Sequence, residues 1–265
     1  MAVASKQKIR YGRRVGISGR VISGGARTIR LEHAATGAGF RPVATSRTAA
    51  DGSYRFLVRA RRSGSYRAVS ETGAITAPRH VTVLATIRAK AAKHVLGGRP
   101  SRVSGRLLPA SKGRRVTLQL RTRRGWKAVD RATTRAGGRF RASFKPARPG
   151  RYRVRVTSAG DSVAAAASAK SWRVNAYRAG NASWYGPGLY GNRLGCGGTL
   201  TPGTVGVANK RLPCGTHVTF RYGGRSVTAR VVDRGPYVGG REWDLTAALK
   251  ARLGFPSTGT VWSTR

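Results

Sequence analysis

Slid along itself by 86 residues, the chain repeats: Ile17-Ser18-Gly19-Arg20-Val21 falls on Val103-Ser104-Gly105-Arg106-Leu107, Gly39-Phe40 on Gly125-Trp126, and Gly64-Ser65-Tyr66-Arg67 on Gly150-Arg151-Tyr152-Arg153. Three anchors at one offset make residues 12–90 and 98–175 two copies of one module. A basic segment at 1–11 precedes them, and a stretch of different character at 181–265 follows.

Each copy reads as short strands. Tyr54, Phe56 and Val58 alternate with Arg55, Leu57 and Arg59, and Tyr152, Val154 and Val156 alternate with Arg151, Arg153 and Arg155, the period of two that a half-buried strand requires. Asp51-Gly52, Gly137-Gly138 and Pro149-Gly150 supply turns between the runs. The size and rhythm are those of an Ig-like β-sandwich, and both copies resemble the Ig-like or fibronectin-type spacers of bacterial wall proteins. The fold class expected is mainly β: two Ig-like β-sandwiches, then a small barrel with one short helix. Neither copy gathers polar residues into a site for chemistry.

Charge then limits the partners. The chain carries 52 Lys+Arg against 8 Asp+Glu, a net charge of +44, so most cations must face water or a polyanion. From residue 176 onward there are 12 cations and 3 acids, a net of +9, leaving +35 on residues 1–175. Arg outnumbers Lys, 42 to 10. A GC-rich genome and selection for bidentate anion binding both produce that bias. Zinc-finger spacing, a helix-turn-helix pattern and RNP aromatics are all missing, so no specific nucleic-acid partner is expected. No apolar run is long enough for a transmembrane segment.

The two cysteines, Cys196 and Cys214, each lie beside glycine. The pair reads as one disulfide closing a short loop, which favours an oxidising compartment; two free thiols are the alternative. Lys6, Lys8 and Arg10 follow Met1–Ser5 directly, so an apolar signal segment is not visible in this chain. A cytoplasmic protein, a start further upstream and a trimmed signal all fit that beginning. With the cysteine pair, an extracellular, cell-wall or periplasmic location is the expectation.

The specific signal lies at 181–265. In order it holds Ala182-Ser183-Trp184-Tyr185-Gly186, then Gly206-Val207-Ala208-Asn209 and Leu212-Pro213-Cys214-Gly215-Thr216, then Val227-Thr228-Ala229-Arg230-Val231-Val232-Asp233-Arg234-Gly235-Pro236-Tyr237, then Asp244-Leu245-Thr246. Together these resemble the motifs of the rare lipoprotein A (RlpA)-like double-psi β-barrel, a fold shared with expansins. The resemblance implies a six-stranded barrel and a peptidoglycan lytic transglycosylase, in which the muramic 6-hydroxyl attacks internally. Asp233 would be the catalytic acid, and Ser183, Tyr185, Asn209, Arg234, Tyr237 and Asp244 would contact substrate. No cofactor and no metal are implied.

The residues themselves narrow the chemistry. Asp233, Glu242 and Asp244 are the only carboxylates of this stretch, and glycoside cleavage of the two-carboxylate kind needs two. A helix is expected over Leu245 to Leu253, with Asp244 as a candidate N-cap and Gly254 as its stop. His217 alternates with Thr219 and Arg221, away from Val218 and Phe220, which makes it a surface histidine. Two positions depart from the family pattern. Gly197-Gly198-Thr199 stands where an acidic residue occurs, and Asn209 stands where His closes the Ala-Ala-His element. Asn cannot shuttle a proton at neutral pH. That keeps open a non-catalytic, expansin-like glycan-binding or wall-loosening protein, or a cationic wall adhesin. The expected partners are peptidoglycan glycan strands, with anionic wall polymers engaged by the basic modules.

Overall fold

The computed structural model describes residues 2–22 and 26–265, so Met1 of the basic segment lies outside the described residues. The chain divides into two compact units. One is Met1–Lys90, Arg102–Ser143 and Val154–Trp172, and the other is Ala91–Ser101, Phe144–Arg153 and Arg173–Arg265.

In the first unit, Arg14–Arg20 pairs on its two edges with Ala2–Ala4 and Ser53–Arg59. A second sheet runs Arg41–Arg47, Thr28–Ala35, Gly64–Ser70, Arg79–Leu84, with Lys8–Arg10 added in parallel. Each sheet buries one face: Val15, Ile17, Tyr54 and Phe56 from the first, Ile29, Leu31, Tyr66, Val81 and Val83 from the second. The same pattern returns further along. Thr86–Ala91, Ser101–Leu108 and Arg139–Phe144 form a three-stranded sheet with Ser101–Leu108 in the centre. Arg115–Thr122 pairs with Gly125–Thr133 and with Gly150–Gly160, which continues to Ala165–Ser168.

The repeat seen in the sequence is kept in register by these strands: those beginning at Ser53 and Gly64 recur at Arg139 and Gly150. One turn shows why particular residues recur. Gly52 has φ 79° and a Cβ there would lie 2.3 Å from the Val21 carbonyl oxygen; Gly138 has φ 69° and its Cβ would lie 2.4 Å from the Leu107 oxygen. Both positions need a left-handed backbone and a bare Cα.

The second unit contains the barrel. Its strands are β1 (Trp172–Tyr185), β2 (Gly206–Ala208), β3 (His217–Tyr222), β4 (Arg225–Asp233), β5 (Trp243–Thr246) and β6 (Gly259–Ser263). β1 pairs with β5 and β6, β2 with β4 and β5, and β3 with β4 and β6, so the ring closes with no free edge. Two of these pairings, β1 with β5 and β2 with β4, are parallel. The closure uses β1 from Arg178 onward, a little before the 181 start read from the motifs.

Alternation fills the interior. Val218 and Phe220, Ala229 and Val231, Trp243 and Leu245 point inward beside Val207 and Val261, and Phe220 meets Trp243 edge to face at 5.0 Å. His217 is exposed, as its place in the alternation requires, and Arg230 donates to it at 3.2 Å.

Helix α1 spans Ala247–Leu253, which corrects the expected start. Leu245 belongs to the barrel core, so the ladder of β5 runs on to Thr246 before the backbone can turn. Thr246 is the N-cap, its Oγ1 accepting from the Leu249 N–H. Asp244 is a strand residue and caps nothing. Gly254, at φ 65°, ends the helix as expected.

Candidate functional site

Strand register sets four residues side by side. Ser183 on β1 is level with Asp244 on β5, Asp244 with Ala208 on β2, and Ala208 with Asp233 at the end of β4. Because Trp243 and Leu245 point into the core, Asp244 between them points out. Adjacent strands lie about 4.8 Å apart, which puts the Asp233 and Asp244 backbones roughly 10 Å apart across Ala208. Ala208, between them in the register, is itself buried.

Each carboxylate is held differently. Oδ1 of Asp233 accepts two backbone N–H groups, from Gly195 at 2.7 Å and from Arg234 at 2.8 Å. A Cβ on Gly195 would lie 2.9 Å from that oxygen, so the close approach needs glycine. Oδ1 of Asp244 accepts the Ser183 hydroxyl at 2.8 Å. Burial raises the Asp244 pKa above the ordinary carboxylate value, the Ser183 bond and the Arg241 charge oppose the shift, and the Asp233 charge adds to it. The Tyr185 hydroxyl is buried beside both carboxylates and interacts most closely with Asp233. Burial first, then the two negative charges, push its ionisation well up, so it stays a neutral donor. Glu242, the third carboxylate of the barrel, is ion-paired with Arg178.

Two of the expected substrate contacts serve the scaffold. Oδ1 of Asn209 accepts from the backbone of Arg211 and Leu212 at 3.0 and 2.9 Å, and its Nδ2 donates to the Glu242 carbonyl at 3.1 Å. Arg234 donates to the carbonyls of Asn209 and Leu212 at 3.0 and 2.8 Å and to Cys214 Sγ at 2.9 Å. Both residues fix the 209–214 loop. The Cys196–Cys214 disulfide is formed. It ties that loop to the segment whose Gly195 N–H holds Asp233.

Among the aromatics, Trp243 is core. Trp184 packs against the core with Lys250 Nζ 4.0 Å over its ring, and Trp262 lies against Tyr177. Tyr237, 81% exposed with Lys210 nearby, is the free ring. The structure thus gathers Ser183, Tyr185, Asp233 and Asp244 into one cluster, leaves Tyr237 in solvent, and bonds Asn209 and Arg234 to the loop. Gly195, Ala208 and Arg241 are site residues that the sequence did not flag. A glycine next to a cysteine was the one visible hint.

Residues 177–262 match the family model described as "Lytic transglycolase". Relatives are similar over the same stretch. A Synechocystis protein named probable endolytic peptidoglycan transglycosylase RlpA is 42% identical over 84 residues, 31% of this chain and 26% of that one. The Campylobacter jejuni endolytic peptidoglycan transglycosylase RlpA is 40% identical over 31% of this chain and 30% of its own. The Pseudomonas aeruginosa RlpA is 41% identical over 32% and 26%. The chain therefore spans between about a quarter and a third of the length of these relatives. With a closed ring of six strands and a match in family and relatives over the same residues, the stretch 177–262 is an RlpA-like double-psi barrel domain of the lytic transglycosylase type.

Proposed function

We infer that this is a cell-envelope protein whose barrel cleaves peptidoglycan glycan strands by lytic transglycosylation. The observation that carries the reading is the pair Asp233 and Asp244 level with one another across Ala208, Asp233 held by two backbone N–H groups and Asp244 partly buried with its pKa raised. Asp244, partly buried and facing another carboxylate, is the proton donor: it protonates the glycosidic oxygen as the bond breaks. Asp233 is fixed in orientation by two backbone donors to its Oδ1. It takes the proton of the muramic 6-hydroxyl as that oxygen closes on the anomeric carbon. The sequence reading gave acid and base work to Asp233 alone; splitting it between two groups follows from their different surroundings. Ser183 orients Asp244, the Tyr185 hydroxyl stands beside Asp233 as a neutral donor, and Tyr237 offers a ring to a sugar face.

The test uses purified sacculi with the wild type, Asp233→Asn and Asp244→Asn, reading 1,6-anhydromuropeptides by mass spectrometry. Wild-type release with loss in both variants is expected. Absence of anhydro product from the wild type refutes the enzyme reading. The kcat/KM profile should fall on its alkaline side as Asp244, whose pKa is raised, loses its proton.

The alternative of a non-catalytic, expansin-like glycan binder has one observation in its favour. Asn209 has most of its hydrogen-bonding capacity engaged in the loop, and Gly198 brings no acid. Sacculus binding by the wild type without product would select it. The repeated, strand-rich segments at 12–90 and 98–175 we read as Ig-like spacers that hold the barrel at the wall and engage its anionic polymers.

A further inference from the structure

The outer face of the three-stranded sheet made by Thr86–Ala91, Ser101–Leu108 and Arg139–Phe144 is a cationic groove of about 690 Å³. Arg88, Lys90, Arg106, Arg135, Arg139 and Arg141 line it, all exposed. None of the six side chains makes a hydrogen bond or an ion pair among the described residues, and no carboxylate lines the groove. The floor is bare backbone: a Cβ at Gly105 would lie 2.3 Å from the Arg88 carbonyl and 2.6 Å from the Phe140 ring. Like charges on adjacent strands about 4.8 Å apart repel one another and destabilise the sheet.

The duplication supplies the comparison that composition alone cannot. The equivalent groove of the first copy is lined by Ser18, Gly19, Ser46, Arg47, Ala49, Ser53, Tyr54 and Arg55. At the positions matching the six cations the first copy has Ala2, Ala4, Arg20, Ala49, Ser53 and Arg55. There Arg20 donates to the Asp51 carbonyl and its charge lies near the Asp51 carboxylate; the position matching Asp51 in the second copy is Gly137. At the six matching positions the first copy thus carries two cations and the second six; Arg47 adds a third cation to the first groove, and Asp51 beside Arg20 has no counterpart in the second. A genome-wide preference for Arg codons acts on both copies alike and does not produce that difference.

We propose that this groove of the second copy binds one strand of a linear phosphodiester polymer that carries no aromatic bases, such as a polyol-phosphate chain of the wall. Five of its six cations are Arg. A guanidinium fork takes the paired oxygens of a phosphodiester, and a linear phosphodiester repeats that group along its length, so forks from neighbouring strands can engage successive groups of one chain. The one ring in the groove, Phe140, is 2% exposed, so no platform is offered for stacking bases. The proposal rests on the reading of the basic modules as wall-facing, and it is independent of cleavage by the barrel.

The test is built into the sequence. In the full chain, R88A/K90A/R135A/R139S gives the second copy the residues that the first copy already folds with. A control, R123A/R124A/K127A/R131A, removes four exposed cations from the Arg115–Thr122/Gly125–Thr133 hairpin instead. Binding is measured to a short poly(glycerol phosphate), to poly-glutamate and to oligothymidylate of equal charge, across a salt series. The first variant should lose about tenfold or more in affinity for poly(glycerol phosphate), and the slope of log K against log salt should fall by about 3, while the control stays close to wild type. Equal losses in the two variants, equal binding of poly-glutamate, or tighter binding of oligothymidylate each overturn the proposal. Anhydromuropeptide release from sacculi stripped of anionic polymer, run with the same variant, reads the barrel separately.

Discussion

Removing the Cys196–Cys214 bridge should loosen the barrel at its candidate site. The cysteines are 18 residues apart. In the chain-entropy model a loop of that size stabilises the folded domain by about 3 kcal/mol. For a domain of this size each kcal/mol moves the transition by about 4 to 8 °C, so the double variant C196S/C214S, or reduction, should lower the barrel's midpoint by about 12 to 24 °C. The assay is thermal unfolding followed by tryptophan emission, since Trp184, Trp243 and Trp262 all lie in the barrel. Local effects should accompany the global one. The bridge tethers the segment whose Gly195 N–H binds Asp233, and Arg234 braces Cys214, so amide exchange at Gly195 should accelerate on reduction well below the midpoint. A shift of less than about 4 °C, or unchanged Gly195 protection, would refute the reasoning that the bridge supports this end of β4.

Other perturbations follow from the same geometry. Gly138→Ala adds a left-handed penalty and a contact with the Leu107 carbonyl, costing about 2 to 4 kcal/mol, whereas Gly137→Ala, also at φ 69° but in open space, should cost about 1; denaturant melts of the two variants check the difference. Asp244→Asn should stabilise the barrel at neutral pH. The folded-state pKa of Asp244 is raised, so the wild type gains stability as pH falls through that value, and the advantage of the variant should shrink towards zero below the ordinary carboxylate range in melts run across pH. Arg114, with its side chain 3% exposed, pairs with Asp161 and donates to the Pro109 carbonyl. Arg114→Met should cost about 2 to 3 kcal/mol by chemical denaturation. For Asp161, burial acts upward but the Arg114 bond and the Val163 and Ala164 N–H groups outweigh it. Its pKa is therefore lowered, and the part of the stability that depends on it should be lost as pH falls below the ordinary carboxylate value.

What the sequence disclosed depended on whether a residue acts through its own pattern or through a distant partner. The duplication was legible because its anchors are strand alternation and obligatory turn glycines, as at Gly52 and Gly138. Asp233 and Asp244 stood out by scarcity, and their strands by alternation. The helix start was misplaced because Leu245 satisfies a helical stripe and a strand equally well; only its place in the barrel interior decides. Asn209 and Arg234 were expected to contact substrate because they occupy motif positions of the family that the barrel resembles. Their partners lie up to 33 residues away in the chain, at Glu242, Leu212 and Cys214, and no local pattern displays those bonds. The Gly195 donor, 38 residues from Asp233, was hidden for the same reason.

Two turns that match in sequence and structure allow a chain to change length by the segment between them. Gly52 and Gly138 occupy the same place in the same turn, so a genetic exchange between the two codons splices the opening strands of one copy to the closing strands of the other with every pairing partner present. One product is shorter by a module and the reciprocal product is longer. A junction at that turn also mixes the two outer faces: the shorter chain keeps Ala2, Ala4 and Arg20 but acquires Arg139 and Arg141. Inheritance can thus set the number of modules and the charge carried by each of them while leaving the barrel untouched.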